Sequence, residues 1–93
     1  MNQVLNTLKA NKETLFSKYP LKSMALFSSY SRGDYNNTSD VDVMVELSVP
    51  NAKAFIELGY ELEELFDKKV DVISKNGVKE RYMKVIEKDL QYV

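Results

Sequence analysis

The chain has 93 residues, a net charge of −1, and neither cysteine nor histidine. This length accommodates one domain, and the near-neutral charge gives no general attraction to nucleic acid, so we expect no direct nucleic-acid contact. The absence of cysteine and histidine from the sequence excludes disulfides, thiolate chemistry and Cys/His zinc sites. Any metal must bind oxygen ligands, which favours magnesium, calcium or manganese.

The N-terminal sequence has neither the basic start nor the apolar stretch of a signal peptide. No apolar run approaches the roughly 20 residues of a membrane span. We therefore expect a cytoplasmic protein without a membrane partner.

Helical and strand-like patterns alternate in the first half of the chain. Apolar residues recur at three- and four-residue steps from Gln3 to Tyr19, which predicts an amphipathic helix that Asn11 weakens and Pro20 ends. The short apolar stretch Ser23–Phe27 predicts a buried strand. A loop rich in Ser, Gly and Asn follows, and then Asp40–Leu47 alternates strictly between apolar and mainly polar residues, which predicts a second strand.

The second half begins with a predicted helix over Ala52–Phe66, capped by Asn51. We expect its inner face to hold the residues Phe55, Ile56, Leu62, Leu65 and Phe66. The acidic run "ELEEL", Glu61 to Leu65, predicts a solvated helix face, with contact to a basic partner as the alternative.

A third strand is predicted over Lys69–Ser74, followed by a turn at Asn76-Gly77. The last predicted helix runs from Val78 to Leu90, with apolar residues spaced for burial at Val78, Tyr82, Val85, Ile86 and Leu90. The order α-β-β-α-β-α predicts an α+β domain in which helices cover a small sheet.

Three aspartates in these strands suggest a metal site. Asp40 and Asp42 are two residues apart, so they project from one face of a strand, about 6.6 Å apart along the chain. Asp71 lies between Val70 and Val72, which places it on the face away from the core. A half-exposed strand showing polar residues to water is the simpler explanation for an Asp pair alone. Three carboxylates beside a small-residue loop favour a cage for divalent cations, and two metals about 3.5–4 Å apart suit attack on a phosphoryl group.

The stretch "FSSYSRGDYNNTSDVDVMVEL" together with "KKVDVIS" resembles the minimal nucleotidyltransferases, the MNT family of the DNA polymerase β-like superfamily. That family has a strand, a Gly-Ser-x-Ala-Arg-Gly motif, a Ser-Asp-x-Asp motif, and a further Asp on a later strand. The resemblance spans the whole chain and implies the nucleotidyltransferase fold, with a small mixed sheet covered by helices in one domain over residues 1–93.

The resemblance implies roles for individual residues. It makes Asp40 and Asp42 the metal-binding pair that holds Mg²⁺ and, through it, the triphosphate. Asp71 becomes the third carboxylate, which helps to bind the catalytic metal and is placed to accept the proton of the attacking hydroxyl. A nucleotide-binding role is implied for the residues of the loop motif: Ser28, Ser29, Arg32, Gly33 and Ser39.

One position departs from the family's motif, because glycine precedes the motif serine there and Ser28 does so here. A glycine leaves room for a phosphate against the backbone and tolerates a positive φ. Ser28 therefore predicts weaker nucleotide binding, unless its hydroxyl donates a hydrogen bond to a phosphate oxygen.

The family transfers a nucleoside monophosphate from an NTP to a hydroxyl. Its MNT members pair with HEPN-domain toxins, so the resemblance implies transfer of AMP from ATP to a tyrosine of such a toxin, in a homo- or hetero-oligomer. Two alternatives remain open: a catalytically weakened module that neutralises its partner by contact, and a homodimeric enzyme acting on a small molecule.

Overall fold

The computed structural model describes residues 3–27 and 40–93. Its helices and strands, in chain order, are α1 (Gln3–Ala10), α2 (Lys12–Lys18), β1 (Leu21–Phe27), β2 (Val41–Leu47), α3 (Ala52–Phe66), β3 (Val70–Ser74), α4 (Glu80–Ile86) and β4 (Gln91–Tyr92). Single 3₁₀ turns at Lys75–Gly77 and Glu87–Asp89 flank α4. The described part of the chain contains no helix that is both long and apolar enough to span a membrane.

The predicted N-terminal helix is broken at Asn11, where its pattern is weakest. The Asn11 side chain donates a 2.8 Å hydrogen bond to the Thr7 carbonyl, and its backbone N–H binds the same oxygen at 3.2 Å. Helix α1 ends at Ala10 and α2 starts at Lys12, so Asn11 lies between the two helices. Asn favours such local bonds to the backbone, which compete with a continuous helix.

The four strands form one mixed sheet in the order β3-β2-β1-β4. β1 is antiparallel to β2 and β4, whereas β2 and β3 are parallel and α3 connects them. The sequence did not predict β4, because two residues are too short for a periodic pattern. The α+β class and the predicted order of the longer elements are confirmed.

The hydrophobic core lies on one face of this sheet. Helices α1, α2 and α3 contribute the buried side chains Leu8, Leu15, Leu58 and Leu62. The strands contribute Met24, Leu26, Val41, Val43, Val45 and Val70. The valines of β2 occupy alternate positions, so the polar alternation seen in the sequence turns Asp42 and Glu46 to the opposite face.

Helix α3 has its cap where predicted but a different buried stripe. The Asn51 side chain accepts a 3.1 Å hydrogen bond from the Ala54 N–H. Ala54, Leu58 and Leu62, each four residues apart, are buried, whereas Ile56 is 55% exposed. The prediction that Ile56 faces inward is therefore wrong. The buried stripe is centred on Leu58, and a residue two positions earlier lies about 160° from it around the helix axis.

The last helix is shorter and more exposed than its pattern predicts. It ends at Ile86, and Tyr82 and Val85 are exposed rather than buried. Val78, Ile86 and Leu90 are half-buried. The expected burial of Tyr82 and Val85 is wrong, because none of the α4 residues joins the core formed by α1, α2 and α3.

Candidate active site

Asp42 and Asp71 lie side by side in neighbouring parallel strands. They are Cα partners in the β2–β3 register, each at the second position of its strand. Neighbouring strands lie about 4.8 Å apart, and partner residues in a parallel pair project from the same face. The fold thus brings together two carboxylates that are 29 positions apart in the sequence.

Asp40 is exposed and stands directly before β2, two positions ahead of Asp42. The hydrogen bonding between β2 and β3 begins at the residue after Asp40, where the Val41 N–H donates a 3.1 Å hydrogen bond to the Lys69 carbonyl. Across residues 3–27 and 40–93, no three Asp or Glu side chains are grouped closely enough to hold a metal ion. The structure therefore pairs Asp42 with Asp71, and the three-carboxylate cage stays a prediction.

An apolar floor adjoins this pair on the same face of the sheet. Phe27 of β1 is the register partner of Asp42. Met44, the next residue of β2 on the same face, is the register partner of Ala25 in β1 and of Ile73 in β3. Met44 is only 2% exposed, although its place in the alternating pattern suggested a polar face. The two aspartates thus border a patch of the sheet in which Ala25 and Met44 are buried and Phe27 and Ile73 are half-buried.

The loop motif connects to the sheet at this same edge. The described chain leaves β1 at Phe27, beside Asp42, and resumes at Asp40. Residues 28–39 lie outside the described residues. The predicted nucleotide-binding residues, namely Ser28, Ser29, Arg32, Gly33 and Ser39, all fall in that range and stay predictions.

The donor set fits a hard divalent cation. Carboxylate oxygens are the only ligands that Asp40, Asp42 and Asp71 offer, and such ligands suit Mg²⁺ or Mn²⁺. Two like charges on adjacent strand positions repel each other, and a bound cation relieves that repulsion. The side-by-side placement of Asp42 and Asp71 therefore has a physical rationale as a cation site.

A second polar cluster occupies the far end of the same face, and sequence reasoning missed it. Lys75 Nζ lies 3.8 Å from Glu46 Oε1 and 5.4 Å from the centre of the Tyr92 ring. The hydrogen bond with Tyr92 raises the pKa of Lys75. The Ser23 hydroxyl donates to Glu46 across the β1–β2 pair at 3.4 Å. Only the pairing of β4 with β1 brings Tyr92 here, and no sequence signal indicated that strand.

Comparison with known proteins places this geometry in a family. The family described as "Nucleotidyltransferase domain" matches residues 8–93. A Methanocaldococcus jannaschii protein named "Putative protein adenylyltransferase" is 39% identical over 97 residues, spanning 100% of this chain and 97% of that protein. The protein adenylyltransferase MntA of Thermococcus cleftensis is 31% identical over 94 residues, spanning 100% of this chain and 95% of that protein.

A solved structure shares the fold. The structure describes the tri-AMPylated HEPN toxin of Shewanella oneidensis in complex with MNT antitoxin, and it aligns with a TM-score of 0.66 at 24% identity. The alignment covers 99% of this chain and 71% of that one. With a family match that spans most of the chain and full-length relatives above 30% identity, this chain belongs to the nucleotidyltransferase domain family.

Proposed function

We propose that this protein transfers AMP from ATP to a tyrosine hydroxyl of a partner HEPN toxin, in a reaction that requires Mg²⁺, and that it thereby acts as an antitoxin. The observation that carries the proposal is the register pairing of Asp42 with Asp71 at the edge where the Ser- and Gly-containing loop joins the sheet. The names of two full-length relatives, both protein adenylyltransferases, support the reaction. The fold match to an MNT antitoxin in complex with a HEPN toxin supports the class of partner.

In this proposal the residues at this edge of the sheet bind the cations, accept a proton and limit the access of water. Asp40, Asp42 and Asp71 hold one or two divalent cations, which neutralise charge on the phosphates when bound. Asp71 accepts the proton of the tyrosine hydroxyl. The new bond joins that oxygen to the α-phosphorus of ATP, while the bond to the pyrophosphate leaving group breaks. Phe27 and Met44 limit the access of water, which would otherwise compete with tyrosine as the acceptor.

The loop residues complete the proposed site. Ser28, Ser29 and Gly33 provide hydroxyl and backbone donors to the triphosphate, and Ser39 fixes the turn into β2. Arg32 pairs with a phosphate or braces the loop through its guanidinium group. One domain over residues 1–93 provides these parts, and the partner presents the acceptor tyrosine.

The direct test combines the purified protein with labelled ATP, Mg²⁺ and the product of the neighbouring gene. We expect label on a tyrosine of that product, and Asp42→Asn should lower the rate by about 10²-fold or more. Asp67→Asn is the matched control, because Asp67 is a left-handed C-cap residue that asparagine replaces readily, and it lies outside the site. Transfer at an unchanged rate in Asp42→Asn would contradict the proposal.

The contact-only alternative has its own discriminating result, and the Ser28 departure is the observation that favours it. Under that alternative, the double variant Asp40→Asn, Asp42→Asn still neutralises the toxin fully in growing cells. Under our proposal, the double variant leaves the toxin active even though the two proteins still bind each other.

A further inference from the structure

Lys69 lies beside the candidate cation site, directly before the first residue of β3. Its backbone carbonyl accepts the hydrogen bond from the Val41 N–H, so this position already belongs to the hydrogen-bonded β2–β3 pair. Val41 and Val70 are Cα partners in the parallel register. One residue back along both strands, the same register places Lys69 next to Asp40.

The Lys69 side chain shares a face of the sheet with the aspartates. Side chains alternate along a strand, and Val70 is buried in the core, so Lys69 and Asp71 project from the opposite face. Residues two apart in a strand are about 6.6 Å from each other, and neighbouring strands are about 4.8 Å apart. The long, flexible lysine side chain therefore reaches the space in front of both Asp71 and Asp40.

The ammonium group of Lys69 is available to a ligand. Lys69 is exposed, and in the described part of the chain it takes part in no ion pair. The lysines near the far end of β2 differ in this respect, since the Nζ atoms of Lys22 and Lys75 each lie 3.8 Å from the Glu46 carboxylate. Lys69 thus brings an uncommitted positive charge to the edge that carries the aspartates.

The charge of the loaded site calls for such a group. Three aspartates and the triphosphate of ATP carry more negative charge than even two divalent cations neutralise. Backbone amides and hydroxyls of a loop provide hydrogen bonds but no full charge. Arg32 of the loop offers one positive charge in the proposed site, and Lys69 is placed to offer a second. A lysine ammonium binds phosphate oxygens as a compact point charge.

The order of the strands indicates which phosphate Lys69 meets. The loop of the motif connects β1 to β2, whereas Lys69 and Asp71 lie on the β3 side of β2. In the proposed reaction Asp71 takes the proton of the attacking hydroxyl, so the attacked α-phosphorus must lie close to Asp71. The phosphate nearest Lys69 is then the α-phosphate and not a phosphate of the leaving group.

We propose that the Lys69 ammonium binds an oxygen of the α-phosphate of ATP and stabilises the negative charge of that group during transfer. This inference rests on the adenylyl transfer proposed above, to which it adds a substrate-binding residue. Lys69 and the loop then hold the nucleotide from the two sides of β2.

Removing the charge of Lys69 tests the inference. We expect Lys69→Gln to bind Mg-ATP about tenfold more weakly, measured by calorimetry without a partner protein, and to lower the transfer rate at saturating ATP by about tenfold or more. Lys69→Arg keeps the charge and should retain most of the affinity. Lys53→Gln is the matched control, because Lys53 is an exposed lysine at the start of α3, beyond the far end of β2.

A purely structural role for Lys69 predicts a different pattern. If the lysine only held Asp40 or the start of β3 in place, Lys69→Gln would weaken Mn²⁺ binding in the absence of nucleotide and lower the midpoint of urea unfolding. Under our proposal neither quantity decreases, because the ammonium group gains its partner only when the nucleotide binds.

The outcomes separate this inference from the proposed function. Unchanged Mg-ATP affinity in Lys69→Gln would overturn the inference, even where the loss of transfer in Asp42→Asn supports the proposed function. Weaker binding with an unchanged rate at saturating ATP would assign Lys69 to the leaving phosphates and would also overturn it. Weaker Mg-ATP binding that Lys69→Arg restores would support the phosphate contact, even where no tyrosine of a partner is labelled.

Discussion

Asp42 and Asp71 show how a single residue position acquires a chemical role from its neighbour in the sheet. Each aspartate alone is an ordinary polar residue on the outer face of a strand. Their register pairing places two negative charges side by side next to a buried apolar surface. Since like charges at this separation disfavour each other, the pair favours a cation that both can bind.

Metal binding should therefore depend on both members of the pair. We expect Asp42→Asn and Asp71→Asn each to weaken Mn²⁺ binding, measured by calorimetry, by about tenfold or more. The control Asp67→Asn removes one carboxylate elsewhere and should bind Mn²⁺ like the original protein. Equal Mn²⁺ affinity in all variants would show that the pair is not a cation site.

Ser28 is a second position at which we expect a single residue to determine a chemical property, here the affinity for Mg-ATP. Replacing it by glycine restores the family's motif, and we expect Ser28→Gly to bind Mg-ATP about tenfold more tightly because the phosphate gains space against the backbone. Thermal unfolding measured over a range of Mg-ATP concentrations reports this affinity. If both proteins are stabilised equally at every nucleotide concentration, the serine is a neutral replacement.

At the scale of elements, α3 shows what sequence periodicity can and cannot predict. The pattern correctly gave the helix from Ala52 to Phe66 and the Asn51 cap. It did not give the rotation of the helix, because apolar residues occur on both sides of Leu58, and only packing against the sheet selects one stripe. Ile56 and Tyr60 are the large apolar residues of α3 that this packing leaves exposed.

Alanine substitutions on α3 distinguish the two possible rotations. Leu58→Ala removes a fully buried side chain and should lower the free energy of unfolding by about 2–5 kcal/mol. Ile56→Ala removes an exposed side chain and should change it by less than about 0.5 kcal/mol. Urea unfolding measures both values. A larger loss for Ile56→Ala would mean that the helix is rotated as the sequence pattern suggested.

The same limit explains which parts of the candidate site could be predicted. The alternation around Asp42 and Asp71 was visible in the sequence, because valines at every second position determine which face is buried. Tyr92 and its contact with Lys75 were not predictable, since two residues of β4 carry no periodic signal and their position depends on pairing with β1. Local sequence patterns thus predicted which face of a strand is buried. Long-range strand pairing determined which side chains lie next to each other.

At the scale of the whole molecule, one polar cluster ties the N-terminal helices to α3. The Tyr19 hydroxyl donates a 2.7 Å hydrogen bond to Glu61 Oε1, and Lys18 Nζ donates to the same oxygen at 2.7 Å. Burial of the phenol, together with the bond to Glu61, raises the pKa of Tyr19 to about 12. The hydrogen bond from Lys18 lowers the pKa of Glu61, against the opposing effect of its own burial.

This cluster predicts how stability changes with pH. Because the folded pKa of Tyr19, about 12, is above the ordinary value of 10.0, its contribution is complete below pH 10 and is lost as pH rises towards 12. The loss should be on the order of 1–3 kcal/mol. The Glu61 contribution has the opposite sign: it is complete above the ordinary pKa of 4.5 and is lost as pH falls through the lowered folded value.

The predicted loss of stability at alkaline pH can be tested by urea unfolding of the original protein and of Tyr19→Phe at pH 8 and at pH 11.5. The original protein should be the more stable at pH 8, by about 1 kcal/mol for the lost hydrogen bond, and this advantage should disappear or reverse at the higher pH. The comparison cancels the titration of lysines, which both proteins share. An advantage that persists unchanged at pH 11.5 would contradict the raised pKa.

The register of β2 against β3 also links correct folding to chemical competence. A slip by one residue would turn the core valines to the opposite face and would at the same time part Asp42 from Asp71. We therefore expect a misaligned molecule both to expose apolar side chains and to lose the paired carboxylates. The core valines and the two aspartates thus depend on one register, so a molecule with a well-packed core also has its aspartates aligned.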